Sequence, residues 1–487
     1  MNQPNQKFTV RDKLLRDTFT GAETQLFFQI VITSLVSFWL AEPRSAWALG
    51  FFMIAGGLCL FVLKTHEQTH PYFIDLLWPR FWLYSAPIWW LILQFTAGLL
   101  QNPISIIEIG TQSFKTLDIV DTWRPTNLMN SVTWISLLGF CSLYLIALNL
   151  YLVPKSQAFF EKLLPCLCFS AVLVALFGYL QKAFNLPAPL FTKGTGQTDF
   201  FSFFPYDGHW AAFALIWCSV CTSLALLTSR YDNSPEFLKS VSPWYLTGTV
   251  LLGYSGFLVE ARWPSAILLL WFSGMLLLVG VNYATNTKER HAKGIAVVSG
   301  LFACLVFASA LFRLFKVDSL PNSKQALHRA ALEMFKDNPI FGWGFDSFEQ
   351  LAPFYVDDAL LGAKHGSASS DVLQFLAEIG IVGIAVPVVI LILIIFPYLK
   401  RKSDVPMTNH MIIGCAGIVA MACVDSPLMS PAVFLSFFVV LFSALRWAAL
   451  SRTRVDEVDT ATRPNVVTPE ATRNIPFFTD DYKETEK

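Results

Sequence analysis

The sequence predicts an all-α polytopic membrane protein of about twelve transmembrane helices, with one large periplasmic loop between the ninth and tenth spans. Three observations carry that prediction. Of 487 residues, 54% are hydrophobic and 14% charged, against about 25% charged in an ordinary soluble domain. Apolar runs recur at the length of about 20 residues that crosses a bilayer as a helix. Lys and Arg concentrate in alternate connections between those runs, the bias that orients membrane helices. The charges balance, 35 Lys+Arg against 35 Asp+Glu, which removes the basic signature of a nucleic-acid binder.

The runs fall near 25–41, 46–63, 80–100, 128–153, 162–182, 207–228, 244–259, 263–282, 295–315, 371–398, 408–425 and 429–450. Residues 1–24 are polar and read as a cytoplasmic segment ahead of an uncleaved first helix. Spans one to nine occupy 25–315 and spans ten to twelve 371–450. Residues 451–487, rich in Thr, Asp, Glu and Arg, read as a disordered cytoplasmic tail. Lys7, Arg11, Lys13, Arg16, Lys64, Arg80, Lys155, Lys162, Arg230, Lys239, Lys288, Arg290, Lys293, Lys400, Arg401 and Lys402 mark one side. They put both termini in the cytoplasm. All nine cysteines lie in apolar runs, without the neighbouring ligands a metal site needs.

The connection 316–370 then lies outside. It is too long and polar for a simple turn. Residues 323–337 have helical period, with Ala326, Leu327, Ala330, Ala331, Met334 and Phe335 mainly on one side. Lys324, His328, Arg329 and Lys336 fall mainly on the other. This is expected to be an amphipathic helix on the membrane surface, ended by Asn338-Pro339. Gly342-Trp343-Gly344 follows as a turn with an aromatic anchor.

Several residues could carry chemistry. Glu260 and Arg262 sit at an outer boundary between two spans. Arg262 is either a topology-setting charge paired with Glu260 or a bidentate ligand for the phosphate of a lipid head group. Lys324, His328 and Arg329 are either a solvated helix face or a cationic lid over a diphosphate. In the second case the helix is expected to cover a cavity whose rim includes Arg262. Lys364 to Asp371 lead into span ten, with Ser369 or Ser370 as N-cap. Ser370, Gln374 and Glu378 form a polar stripe that would face a wet cavity. His365 is a loop histidine or a general base. His209 opens a span beside Trp210, as an interfacial anchor or a cavity residue. Asp357-Asp358 reads as a solvated pair. No carboxylate cluster suggests a metal and no glycine loop a nucleotide.

These segments together resemble the O-antigen ligase and polymerase superfamily of bacterial envelope glycosyltransferases. ALHRAALEMFKDNPIFGWGFDSF is similar to its helix, Asp-x-Pro and Gly-x-Gly-Phe pattern. SSDVLQFLAEIGIVG is similar to its next membrane helix, and ARWPSAILL to its Ser-Arg helix start, which puts Arg262 on the family's Arg. DFFSFFPYDGHWAAF resembles an earlier segment, with His209 on the family's His. Two positions depart: Ser369 stands at the usual His, and Lys324 at the usual Arg. The resemblance implies an inner-membrane glycosyltransferase without cofactor or metal. Its donor would be an undecaprenyl-diphosphate-linked glycan. The acceptor hydroxyl would lie on lipid A core, a growing glycan or a protein such as a pilin. His365 and Arg262 would be catalytic; Arg262, Lys324, His328 and Arg329 would bind the diphosphate; His209, Ser369, Ser370 and Gln374 would line the substrate cavity. Its surroundings are membrane lipids, with no nucleic acid. The rival class is a transporter of lipid-linked glycans, which would place ionisable groups at mid-membrane, often with repeated halves. Here the charges cluster at the outer boundary and no repeat is visible.

The orientation has a direct test. In a variant without the nine native cysteines, cysteines introduced near 45, 120, 195 and 345 should react with an impermeant thiol reagent from the periplasm. Those near 70, 235, 290 and 402 should react only after the membrane is opened; labelling at 345 only then would reverse the topology.

Overall fold

Each expected apolar run falls on a helix in the computed structural model, which describes residues 19–40, 45–69, 74–101, 103–109, 112–118, 121–128, 131–186, 200–231, 241–286, 292–315, 322–356, 366–400 and 405–462. The helices are α1 Gly21–Trp39, α2 Ala46–Thr69, α3 Ile74–Tyr84, α4 Ala86–Gly98, α5 Ser131–Leu152, α6 Gln157–Ala183, α7 Asp207–Tyr231 and α8 Ser242–Tyr254. They continue as α9 Arg262–Asn286, α10 Ala292–Phe315, α11 Asn322–Asp337, α12 Phe348–Leu351, α13 Asp371–Lys400, α14 Pro406–Ala422 and α15 Pro431–Thr462. Among the described residues, 8 helices are long and apolar enough to cross a membrane. The chain is a multi-pass, mostly helical membrane protein.

Helix α7 is the axis. Of its most apolar window, 89% is buried, against 22% for α10 and 28% for α13. It packs against α8, α9, α14 and α15. Its own hydroxyls are returned to the helix: Thr222 and Ser223 donate to the carbonyls of Cys218 and Ser219 at 2.9 and 2.7 Å. Indole donors find partners across helices, Trp217 to Ser436 at 3.1 Å and Trp271 to Ser219 at 2.7 Å. This is how polar side chains join helices where lipid tails supply no hydrophobic contrast. On α10, Leu301, Leu305 and Phe312 are exposed, as lipid-facing residues are.

Three features differ from the sequence expectation. The run 80–100 is two helices, because Pro79 and Pro87 bracket the joint at Ser85. The final helix continues to Thr462, twelve residues past 450; that segment contains neither Pro nor Gly to stop it. A two-stranded hairpin interrupts the all-helical plan: β1 Ile104–Ile109 pairs antiparallel with β2 Gln112–Leu117, Ile104 opposite Leu117. Its basis is the isoleucine-rich first strand, with Phe114 and Thr116 in the second, and a two-residue connection that includes Gly110.

Helix α11 begins within one residue of expectation, but its apolar face meets protein rather than lipid. Leu327, Ala331 and Met334 join Leu128, Trp343, Phe348, Leu351 and Ala368 in a small separate core, with Ile104 and Leu117 of the hairpin against it. Tyr355 packs there as well and donates to Asp337 at 2.8 Å. Burial, then the Asp337 carboxylate, pushes its phenol up, so it remains a donor.

That loop is locked to the membrane bundle by a break in α13. Gly380 has φ +66°, so the helix ladder fails there. The carbonyls of Ala377 and Glu378 instead accept from the amides of Trp343 and Gly344 at 3.0 and 2.7 Å. The amides of Ile381 and Val382 donate to the carbonyls of Pro339 and Ile340 at 3.0 and 3.1 Å. The Gln94 side-chain amide reaches the carbonyls of Phe341 and Ile379 at 2.6 and 3.0 Å. Buried Asn338 donates to Gly342 at 2.7 Å and to Thr126 at 3.2 Å. The backbones approach so closely that a Cβ at Gly342, where φ is +69°, would lie 2.4 Å from the Glu378 carbonyl carbon. A Cβ at Gly380 would lie 2.4 Å from the Ile340 oxygen.

Gly342→Ala and Gly380→Ala should therefore each destabilise the protein by about 2 kcal/mol or more, from left-handed strain and the displaced ladder. Gly274→Ala, with nothing within 4 Å of its Cβ position, should be neutral or slightly stabilising. Thermal unfolding in detergent separates the three; equal midpoints would remove the account of the break.

Candidate functional site

The starts of α7, α11, α13 and α15 and the end of α14 converge at the loop-bearing end of the bundle. Asp425, in the α14–α15 connection, is the hub. Its carboxylate accepts from the Tyr206 hydroxyl at 2.6 Å and from the Ser426 amide at 2.8 Å, and stands 3.7 Å from the Lys324 ammonium. The Asp425 side chain is only 3% exposed while that of Lys324 is 44% exposed. A carboxylate so shielded persists as a charge only with such donors. The Asp425 carbonyl accepts from the Asp371 amide at 3.1 Å, and the Asp371 carboxylate accepts from the Leu428 amide at 2.7 Å. The N-terminus of α13 and the α14–α15 connection are thus joined in both directions.

The predicted residues distribute around this hub. His209 Nε2 lies 3.1 Å from the Ser426 carbonyl, and its ring stands edge-on to Tyr206. His328 Nε2 lies 3.0 Å from the Ser369 carbonyl. Ser369 itself has φ +55°. Arg329 is exposed. Ser370 caps α13, its hydroxyl 3.5 Å from the Leu373 amide, and also donates to the Cys423 carbonyl at 3.1 Å. Gln374 accepts from the Ala368 amide at 3.1 Å and donates to Glu378 at 2.9 Å. Glu378 further accepts from the amides of Asp346 and Phe348 at 2.9 and 3.2 Å. The polar stripe of α13 therefore holds the loop rather than facing a wet cavity. His365, with Asp357 and Asp358, lies outside the described residues.

Arg262 opens α9 and donates to the carbonyls of Arg313 and Leu314 at 3.2 and 2.6 Å, satisfying the C-terminal end of α10. Arg313 reciprocates, donating to Val259 at 2.7 Å, Phe257 at 2.8 Å and the Ser265 hydroxyl at 2.8 Å. Beside this clasp is a cavity of about 760 Å³ lined by Lys182, Phe257, Leu258, Val259, Glu260, Arg262, Ser309, Phe312 and Arg313. Its volume is in the range of small-molecule sites. Its lining includes none of Lys324, His328 and Arg329. Lys324 thus meets Asp425 and His328 meets the Ser369 carbonyl, and the three outer-helix residues are not among those that line the Arg262 cavity. A second cavity, of about 300 Å³, lies on the other side of the start of α7. Between them, the Asp207 carboxylate accepts from the Glu260 amide at 2.8 Å.

Residues 240–388 match a family model described as O-antigen ligase. The matched segment, under a third of the chain, is similar to the O-antigen ligase superfamily and supports the resemblance read from the sequence. The match runs from α8 into the first half of α13, and so includes Arg262, Arg313, α11 and the Gly342–Gly380 lock, but not Tyr206 or Asp425. No curated protein matches the chain. Among the described residues, no group of three or more His, Cys, Asp or Glu side chains is placed to hold a metal ion.

Sequence reasoning missed Asp425, Tyr206, Lys182 and Arg313 as site residues. The available signal was charge at span boundaries: Asp425 stands between two apolar runs, and Arg313 ends one. Asp425→Ala should destabilise by about 1–3 kcal/mol, because it leaves buried donors without an acceptor. In a double-mutant cycle, Tyr206→Phe and Asp425→Asn should couple by about 0.5 kcal/mol or more. Additive shifts in thermal midpoint would show that the hub is not a coupled unit.

Proposed function

We propose that this membrane protein transfers a glycan from an undecaprenyl diphosphate carrier to an acceptor hydroxyl at the periplasmic face of a bacterial inner membrane, with both termini cytoplasmic. The observation that carries the reading is the 760 Å³ cavity with Lys182, Arg262 and Arg313 in its wall, built largely within the segment that matches O-antigen ligase. Two guanidiniums and an ammonium suit a diphosphate, whose oxygens they meet with charge-assisted hydrogen bonds.

In this reading the acceptor oxygen attacks the anomeric carbon. The bond from that carbon to the phosphate oxygen breaks, and the lipid diphosphate leaves with the electron pair. The hydroxyl proton passes to a base, for which His365 is proposed. Negative charge grows on the leaving diphosphate, and fixed cations aimed at it lower the barrier. Arg262 and Arg313 are already oriented by helix-end carbonyls, so little reorganisation is needed. Lys324, His328 and Arg329 extend positive charge over the acceptor side. His209, Ser369, Ser370 and Gln374 belong to the walls and supports of the substrate region. Lipid A core, a growing polysaccharide and a protein hydroxyl all suit as acceptor chemistry. No nucleotide is required in this reading, since the activated donor supplies the energy, and metal independence is proposed with it.

Arg262→Lys should lower transfer by about 10²-fold, because a single ammonium nitrogen cannot reproduce the planar fork that holds the two α10 carbonyls through separate nitrogens. His365→Ala should lower it by about 10²–10⁴-fold. His365→Gln should not restore it, as Gln takes no proton at neutral pH. The measurement is glycan transfer in membranes at matched protein level, and near-normal transfer by both Arg262→Lys and His365→Ala would overturn the reading.

A further inference from the structure

A second cavity is lined at the start of α7, by residues outside the proposed diphosphate site. Its volume is about 300 Å³ and its wall is formed by Ser37, Leu40, Ser45, Phe203, Phe204, Pro205, Tyr206, His209, Ser430 and Pro431. The residues come from five places in the chain: the end of α1, the entry to α2, the segment before α7, the first turn of α7 and the start of α15. None of these described residues is a carboxylate or an ammonium. Half offer a hydroxyl or an imidazole, and half offer only apolar surface.

Two hydroxyls in that wall are unsatisfied. Ser37, 1% exposed, and Ser45 have no hydrogen-bond partner for Oγ among the described residues. Buried hydroxyls are ordinarily paired, and leaving one unpaired costs about 1–3 kcal/mol. Ser37 lies within α1, where its hydroxyl could turn back to a helix carbonyl, as Thr33 does to Gln29 at 2.7 Å. It does not. Two other polar members are held in fixed orientations, Tyr206 by Asp425 at 2.6 Å and His209 by the Ser426 carbonyl at 3.1 Å.

We propose that this cavity is a saccharide subsite, which takes one sugar unit with its C–H face on Phe203, Phe204 and Pro205 and its hydroxyls on Ser37, Ser45 and His209. A neutral ring with one apolar face and a polar rim matches this wall, whereas an acyl chain would leave the hydroxyls unpaired and a phosphate would meet no cation among the described lining residues. The proposal rests on the glycosyl-transfer reading and adds where a sugar is recognised. The charged cavity and this one flank the first turn of α7, with Asp207 between them, so carrier and sugar are recognised by separate walls of one helix end.

The test uses the full-length protein in lipid nanodiscs with three probes: undecaprenyl diphosphate alone, the same carrier bearing one N-acetylhexosamine, and free N-acetylhexosamine disaccharide. Ser37→Met, which fills the cavity, should weaken a sugar-bearing probe about tenfold or more and leave the bare carrier within about twofold. Ser37→Ala, which removes only the hydroxyl, should weaken the same probe by about threefold, the scale of one net hydrogen bond. Both variants must elute and unfold like the parent. A loss confined to the carrier-linked sugar assigns the cavity to the donor's sugar; a loss on the disaccharide assigns it to the acceptor's. Unchanged binding of both sugar probes by Ser37→Met overturns the subsite, and marks the cavity as one for lipid or water. If the parent ignores the bare carrier yet loses the disaccharide on Ser37→Met, the subsite stands and the lipid-diphosphate reading fails. A parent that binds none of the three overturns both.

Discussion

A backbone amide or carbonyl in hydrocarbon must find a partner, and this requirement shapes the loop-bearing end of the molecule. Gly380 breaks α13 and frees two carbonyls and two amides. The segment Pro339–Gly344 supplies the complementary groups, so an irregular stretch of loop is built into the helix as if it were an adjoining strand. Everything above depends on that insertion. Trp343 enters the small core, Glu378 gathers the amides of Asp346 and Phe348, and α11 is fixed so that Lys324 meets Asp425. The Asn-Pro and Gly-Trp-Gly pattern is therefore best understood as the sequence record of one backbone docking.

The bundle was legible because apolar runs of spanning length report burial in lipid directly, one residue at a time. The amphipathic α11 was legible for the same reason: Leu327, Ala331 and Met334 recur at helical spacing. What covers its apolar face was not, because the partners are Leu128 and Ala368, brought together only by the fold. The hairpin escaped because its strands are six residues each, too short for alternation to stand out beside the membrane runs.

The site was legible only in part, and the reason is distance along the chain. Tyr206 and Asp425 are separated by 219 positions, and Arg262 and Arg313 by 51. No local pattern announces such pairs. Arg262 drew notice as an outer cation, yet its donors serve α10, while the neighbouring Arg313 shares the work from the other strand of the clasp. Gln374 and Glu378 drew notice as an intramembrane polar stripe, and the stripe is real. Its role is to hold amides at the edge of the bundle, which the sequence expresses in the same letters as a water-filled channel.

The clasp between Arg262 and Arg313 also determines how the charged cavity meets its surroundings. It ties α10 to α9 at that end, while α10 contributes Ser309 and Phe312 to the cavity and has only 22% of its apolar window buried. On this side the cavity is walled by α10, which leaves most of its apolar window exposed. In the proposed reading, a carrier's polar head would rest among the cations while its hydrocarbon tail lay along the exposed face of α10. The arginines pin α10 to α9 at this end, as Ile295 and Ser299 of α10 pin it beside Tyr283 and Gly280 of α9 toward the other, so the wall is fastened at both ends.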